Sequence, residues 1–335
     1  MYVSLRDVAA RSGVSFQTAS KVLNGRPGVV SPATRERILR AAAELGYVPN
    51  AMARGLVRKT SVTVGVVADD FSDLAVSQFV RAAQRAAAGR GHAALISSVH
   101  ADIDAELAVR KLLEYRVDGI LVAAPSLEDD PGLGVALRGP LPVVSINRIH
   151  GVDVPMVGSD HRATGELAAE HLLGLGHRRI GTVTGPSTRH VVGSRMRGFR
   201  SALRAAGRSL PERRVVEADW TYEGGWAAAH RLLDADPSVT AVFVHNDTMA
   251  MGALKALHER GLRLPTDCSV VGCDDLSFAG YLVPALTTVR VPFQETGERA
   301  AMLLVDRIGG KRIPARNLLP VELVVRESTC PPLSS

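Results

Sequence analysis

A chain of 335 residues with 46% hydrophobic residues and a formal net charge of +6 can bury large cores in about two or three domains, which excludes a disordered chain. No uninterrupted apolar run reaches the roughly 18 residues that span a bilayer, and the N-terminus lacks the charged, apolar and small-residue order of a signal peptide. A cytoplasmic protein with no membrane partner is expected. Charge is uneven: residues 1–60 hold ten Lys and Arg against Asp7, Glu36 and Glu44, a net +7, while the remainder holds 30 basic and 31 acidic residues, a net −1. A basic head on a neutral body is the electrostatic footprint of a polyanion-binding module.

Residues 4–23 (SLRDVAARSGVSFQTASKVL) read as two short helices around a turn. Ser4 can cap the first, with Asp7 completing a capping-box-like pair and Leu5, Val8 and Ala9 forming an apolar face. Gly13 breaks that helix, and Val14 and Ser15 make the turn and cap the second. There Val14, Ala19, Val22 and Leu23 pack inward while Phe16, Gln17, Ser20 and Lys21 stay outside, a helix-turn-helix pattern. Gln17 can pair bidentately with adenine, Lys21 can reach guanine O6 and N7, and Phe16 can lie against a thymine methyl. Ser15 and Asn24, at the two ends of this helix, complete its candidate DNA-contacting set. Two helices of an ordinary bundle are the alternative, but a pair this short buries too little alone.

The turn-rich residues 24–30 are followed by Ser31-Pro32, a strong helix start, and a third helix should run to Leu45 and stop at Gly46. Its Ile38, Leu39, Ala42 and Leu45 would close a three-helix core, leaving Arg35, Arg37 and Arg40 near phosphates or in solvent. Asn50 could cap a short helix over 51–57 before the basic joint of Arg58 and Lys59. At under two turns, with Gly55 inside it, that segment reads equally as an unstructured linker.

From Ser61 buried strands alternate with amphipathic helices: VTVGVVA, a helix over 76–89, AALISSV, a helix over 105–115, GILVAAP and PVVSIN. A second run repeats the plan, with helices over 163–175, 195–206 and 224–233 and strands RIGTVTG, near Val215, and AVFVHND. Gly65 matches Gly181, Gly89 matches Gly207 and Gly119 matches Ala241, at offsets of 116, 118 and 122. Two similar lobes with a cleft between them are implied. The remainder adds a helix over 248–260, the strand CSVVGCD, TTVRVP, a helix over 295–308 and a strand-like LLPVELVVRES; no heptad-bearing tail follows Ser328.

These motifs resemble the LacI/GalR family of bacterial transcriptional repressors over essentially the whole chain. The family opening DVA-x-x-x-GVS-x-x-TVS-x-V-x-N stands here as DVAARSGVSFQTASKVLN, with Ala19 for the usual valine, and the headpiece is most similar to the lactose-repressor type. Lys21 stands where arginine is common, so no particular operator sequence transfers. The resemblance implies an all-α helix-turn-helix headpiece (1–46) and a hinge helix or linker (47–60). It also implies a periplasmic-binding-protein-like α/β core of two Rossmann-like lobes, over 61–160 with 290–322 and 161–289 with 323–330. The hinge would fold on operator DNA and wedge Leu56 into the minor groove, with Asn50 and Arg54 beside it. Between the lobes the resemblance places Arg195 as the effector-binding arginine, Asn246 and Asp274 as polar contacts, and Trp220 and Phe293 as an aromatic wall. Asn147 is a weaker match, and Asp69 and Phe71 face the cleft because ligands sit beyond strand C-termini. Arg197 belongs to the helix surface, Asp247 and Asp275 read as caps or lobe-packing residues, and Asn246 could itself be a cap.

The implied protein is a homodimeric repressor that binds a pseudo-palindromic operator in the bacterial cytoplasm, on the nucleoid, and is released when a sugar enters the cleft. A purine-binding corepressor-type regulator shares every fold feature, and a transport-type solute receptor is argued against by the headpiece. No GxxxxGK[ST], HExxH or GxSxG occurs, so no enzyme, cofactor or metal is expected. His100, His161, His177 and His245 are isolated from metal-ligand partners and read as structural or solvated. Cys268, Cys273 and Cys330 lack zinc-site spacing and read as free thiols.

Overall fold

The computed structural model describes residues 3–24, 30–48, 60–69, 71–99 and 103–333. Asn50, Arg54 and Leu56, with the helix or linker they were expected to form, lie outside these residues, as does His100.

The headpiece holds α1 (Leu5–Ser12), α2 (Phe16–Leu23) and α3 (Pro32–Glu44). The Ser4 hydroxyl accepts from the Asp7 N–H while Asp7 Oδ2 accepts from the Ser4 N–H at 2.8 Å, a complete capping box. Gly13 closes α1 at φ 62°, a left-handed conformation that a side chain would strain. Ser15 and Ser31 cap the other two helices. Val8, Ala9, Ala19, Val22, Ile38, Ala41 and Ala42 form the core. Leu39 departs from expectation: it is 46% exposed, and Ala41 takes the inward place. Helical geometry explains this, since 38, 41, 42 and 45 share one stripe and 39 lies about 100° away from Ile38. Arg37 is neither solvated nor free for phosphate, because its Nε donates to the Ser12 carbonyl at 2.9 Å and ties α3 to the end of α1.

The core begins with β1 (Thr63–Ala68), α4 (Leu74–Gly89), β2 (Ala93–Ser98), α5 (Ala105–Glu114), β3 (Gly119–Ala123), α6 (Pro131–Ala136), β4 (Val143–Ser145) and β5 (Met156–Ser159). It continues with α7 (His161–Gly174), β6 (Ile180–Thr184), α8 (His190–Ala205), β7 (Val215–Glu217), α9 (Tyr222–Ala235), β8 (Ala241–Val244), α10 (Asp247–Glu259) and β9 (Ser269–Asp274). It ends with β10 (Thr287–Arg290), α11 (Phe293–Ile308), β11 (Arg316–Leu319) and β12 (Glu322–Val324). Among the described residues the strands form two six-stranded sheets, ordered β2-β1-β3-β4-β5-β11 and β7-β6-β8-β9-β10-β12. The internal similarity is exact at the level of register: Gly65 lies opposite Ile120 on β3, and Gly181 lies opposite Val242 on β8. Strands β3, β6, β8 and β9 are buried throughout, as parallel strands covered on both faces require.

The chain passes between sheets three times, after β5, after β10 and between β11 and β12. The last passage corrects the single strand-like ending read from LLPVELVVRES. Pro320 has no N–H to continue a ladder, so the segment splits, β11 pairing with β5 and β12 pairing antiparallel with β10. A second difference concerns α8, which begins at His190 rather than at Arg195. Arg189 occupies its N-cap without a side-chain hydrogen bond, so the usual sequence mark of a helix start is missing.

Helices α7 and α8 approach backbone to backbone. A Cβ at Gly165 would overlap the Arg195 carbonyl, and one at Gly198 would overlap the Arg162 carbonyl. This contact sets how deeply α8 sits against its sheet. Gly165→Ala is therefore expected to destabilise the core by about 2 kcal/mol through overpacking, read as a lower urea midpoint with an unchanged m-value, whereas Gly89→Ala, which meets nothing within 4 Å, should be near neutral.

Candidate functional site

Two surfaces carry the predicted residues. On the headpiece, Phe16 is 51% exposed and Gln17 and Lys21 are also exposed, along one side of α2. Ser15 accepts from the Thr18 N–H at 3.1 Å, which fixes the start of that helix. Ser20 is half-buried and accepts from Asn24 Nδ2 at 3.1 Å, so these two brace each other at its end. Phe16, Gln17 and Lys21 are thus the free side chains of the set, presented by a helix whose opposite face is packed.

In the core the C-terminal ends of the strands bring together Arg195, Trp220, Asn246 and Asp274. Arg195 projects from α8 with only 4% exposure. Its guanidinium donates to the His245 carbonyl and, at 3.4 Å, to Asp274 Oδ1, while its Nε has no partner. Burial raises the Asp274 carboxyl to about 7, because the loss of hydration outweighs the pull of Arg195. Asn246 is indeed a cap: its Oδ1 accepts from the Met249 N–H at 2.8 Å, and its Nδ2 donates to the Trp220 carbonyl at 3.3 Å. Trp220 lies across Gly185, where a Cβ would enter its ring. Trp220, Asp274 and Asp275 have φ of 75°, 116° and 55°, left-handed values that cost side-chain-bearing residues energy. Backbone strain is therefore concentrated beside Arg195.

The other expected residues are placed less directly. Phe293, in the first turn of α11, is half-buried against the apolar cluster containing Val291, Val321 and Leu323. Asn147, just after β4, donates to the Arg148 carbonyl at 3.3 Å and leaves its buried Oδ1 unpaired. Phe71 is 39% exposed. Asp69 spends both carboxylate oxygens on Ser126, accepting from its N–H and its hydroxyl. Asp247 is a packing residue, fully buried and accepting from the Leu276 N–H at 2.8 Å and the Thr288 hydroxyl at 2.6 Å. Asp275 pairs with Arg290 at 2.7 Å and Arg326 at 2.6 Å.

Sequence reasoning missed two groups at the cleft. His161 and His245 were read as structural or solvated, yet His161 Nδ1 and both ring nitrogens of His245 are buried without partners. Burial, with Arg195 nearby, holds His161 down to about 3 and His245 well below the usual histidine range, so both are neutral. His177 is satisfied instead, facing Thr240, Ser269 and the Cys330 carbonyl. The other group is Glu128 with Arg189 and His190, which meet across the lobes. A cavity of about 440 Å³ is lined by Leu74, Ser77, Gln78, Arg81, Asp275, Ser277 and Gln294, none of them among the expected effector-binding residues. Among the described residues no cluster of His, Cys, Asp or Glu is arranged to hold a metal ion, and no helix is long and apolar enough to cross a membrane.

The shifted groups give opposite pH signatures. Asp274 holds its proton more tightly folded than unfolded, so its stabilising contribution is complete below the unfolded value of 3.8 and is lost as pH rises through about 7. His161 resists protonation, so stability is lost as pH falls from 6.5 toward about 3. Asp274→Asn should therefore remove part of the stability loss seen between about pH 4 and pH 7, and His161→Gln part of the acid-side loss, both checked by denaturation midpoints across pH.

Comparison with known proteins agrees with this architecture. Residues 4–50 match the family described as bacterial regulatory proteins, lacI family, and residues 169–329 match a periplasmic binding protein-like domain. The HTH-type transcriptional regulator CelR of Thermobifida fusca is 37% identical over 97% of this chain and 98% of its own. The HTH-type transcriptional repressor CytR of Escherichia coli K12 is 32% identical over 97% and 96%. Among solved structures, a CelR–cellobiose complex is similar at 38% identity and a TM-score of 0.75, covering 97% of this chain and 99% of that one. A lac repressor dimer bound to operator and the anti-inducer ONPF reaches a TM-score of 0.90 at 32% identity, covering 98% and 100%. A helix-turn-helix headpiece joined to a two-lobed ligand-binding-type core, with relatives that match end to end, makes this chain a member of the LacI family of DNA-binding transcriptional regulators.

Proposed function

We propose that this regulator is a homodimeric repressor of carbohydrate-utilisation genes, released from a pseudo-palindromic operator when a sugar binds between its core lobes. The observation that carries the sugar reading is the buried Arg195–Asp274 pair, with an unpaired Arg195 Nε and unpaired imidazole nitrogens of His161 and His245 in the field of that guanidinium. Planar guanidinium and carboxylate groups share vicinal hydroxyls, neutral imidazoles donate or accept one bond each, and an indole covers the C–H face of a pyranose. Solution of a CelR relative with cellobiose supports starting with a β-linked disaccharide. Asp69 serves this site indirectly, through Ser126, and Asn147 offers it an acceptor.

The headpiece reads bases through Phe16, Gln17 and Lys21, with Ser15, Ser20 and Asn24 fixing α2, while Asn50, Arg54 and Leu56 engage the minor groove between two half-sites. Pairing of two chains is supported by large apolar side chains left in solvent on the second lobe: Tyr281 is 88% and Val283 95% exposed, and Tyr222 and Trp226 of α9 are also open.

A thermal-shift screen of mono- and disaccharides, cellobiose included, against purine bases tests the ligand class, since a ligand bound only by the folded state raises apparent stability. Stabilisation by purines alone would replace the inducer reading with a corepressor one. Arg195→Lys should bind operator like the wild type while needing at least about tenfold more sugar for release, a loss of bidentate pairing read by fluorescence anisotropy. Tyr281→Asp with Val283→Asp should sediment as a monomer and weaken operator binding; an unchanged dimer would move the interface elsewhere.

A further inference from the structure

Two adjacent residues at the start of α8 reach from the second lobe to the first. Arg189 Nη1 donates to the Pro125 carbonyl at 3.0 Å, and His190 Nε2 lies 3.1 Å from Asp129 Oδ1 and 4.0 Å from Glu128 Oε2. Their acceptors stand on a braced segment. Residues 125–127 form a single tight turn, Ser126 is held by Asp69, Leu127 is buried, and Asp130 caps α6 through the Leu133 N–H at 2.8 Å. Glu128 is only 6% exposed, and its Oε2 has no hydrogen-bond partner. Burial raises its carboxyl above the usual range, and the nearby charges of His190 and Arg189 oppose that rise.

These facts describe a contact that is complete only when the lobes are together. Separating them would take the Arg189 guanidinium and the His190 ring away from the buried Glu128 and leave Arg189 without the Pro125 carbonyl. The contact also shares a helix with the ligand-facing arginine: Arg195 lies about one and a half turns beyond His190 on α8. A shift of the start of α8 against residues 125–129 is therefore carried along the same helix to Arg195.

We propose that Arg189 and His190, closing onto residues 125–129, form a clasp that holds the lobes shut over a bound effector and sets the rate at which it leaves. The clasp deepens the reading of the cleft as an effector site and rests on it. Its acceptors are the Pro125 carbonyl and the Asp129 carboxylate, neither of which reads the ligand, so the clasp governs residence time for any molecule that fits.

The test uses the full chain carrying Arg189→Ala and His190→Ala together. Without ligand, amide exchange at Leu127, Glu128 and Asp130 should quicken about tenfold, the scale expected for losing a charge-assisted contact. With cellobiose as the probe, stopped-flow Trp fluorescence should show dissociation about tenfold faster and association little changed, while operator affinity without sugar stays at the wild-type value. Unchanged exchange overturns the clasp whatever the sugar does. If wild-type protein binds no cellobiose, the disaccharide reading fails and exchange alone decides the clasp. Should the double variant lose its cooperative melt, His190→Gln and Asp129→Ala, which alter only exposed side chains, take its place, and unaltered exchange in both overturns the proposal.

Discussion

The charge of Arg195 is the constraint around which the core is arranged. A guanidinium with almost no access to water is tolerable only if acceptors surround it, because an unpaired buried charge costs several kcal/mol, about 3–5 when a partner is removed. The acceptors come from two strand ends: the His245 carbonyl after β8 and the Asp274 carboxylate at the end of β9. Holding them there requires left-handed backbone at Asp274 and Asp275 and close contact between α7 and α8. Neutral histidines fit this setting, since another positive charge beside Arg195 would be repelled. Electrostatics thus explains why a region rich in ionisable groups contains so few full charges.

Much of this was legible from residue order because the relevant signals were local. Ser4 with Asp7, Ser15, and Ser31 with Pro32 announce their helices through bonds spanning three residues. The paired Gly65 and Gly181 mark equivalent registers because both lobes use the strand order second, first, third, fourth, fifth. What escaped was non-local. Glu128 and His190 are distant in sequence, and nothing near either announces the other. His161 and His245 look isolated because their common neighbour, Arg195, comes from a third element. Pro320 was visible, but reading through it required knowing that a second sheet waited to receive the chain. Leu39 was placed inward on helical spacing, but at about 100° from Ile38 it lies off the stripe that Ala41 completes.

The headpiece follows a different economy of forces. Its core is built mostly from alanine and valine, so α1, α2 and α3 depend on caps and on the Arg37–Ser12 tie as well as on buried area. Small cores gain little margin from hydrophobic burial, which makes such local polar bonds a large fraction of the total. Concentrating the excess positive charge in residues 1–60 adds self-repulsion that a phosphate backbone would relieve. Binding and folding of this part of the chain are therefore coupled through charge.

The three passages between the sheets have a mechanical consequence. Pro292 and Pro320 stiffen two of them, and the Asp160 N–H donates to the Leu319 carbonyl at 3.2 Å, joining the first to the third. Val291 and Val321 pack into one apolar cluster, drawing the second passage to the same place. Three short ties set side by side leave bending about their common line as the least hindered relative movement of the two lobes. An effector bound between the lobes, as proposed, would reach the rest of the core chiefly through that one bending angle.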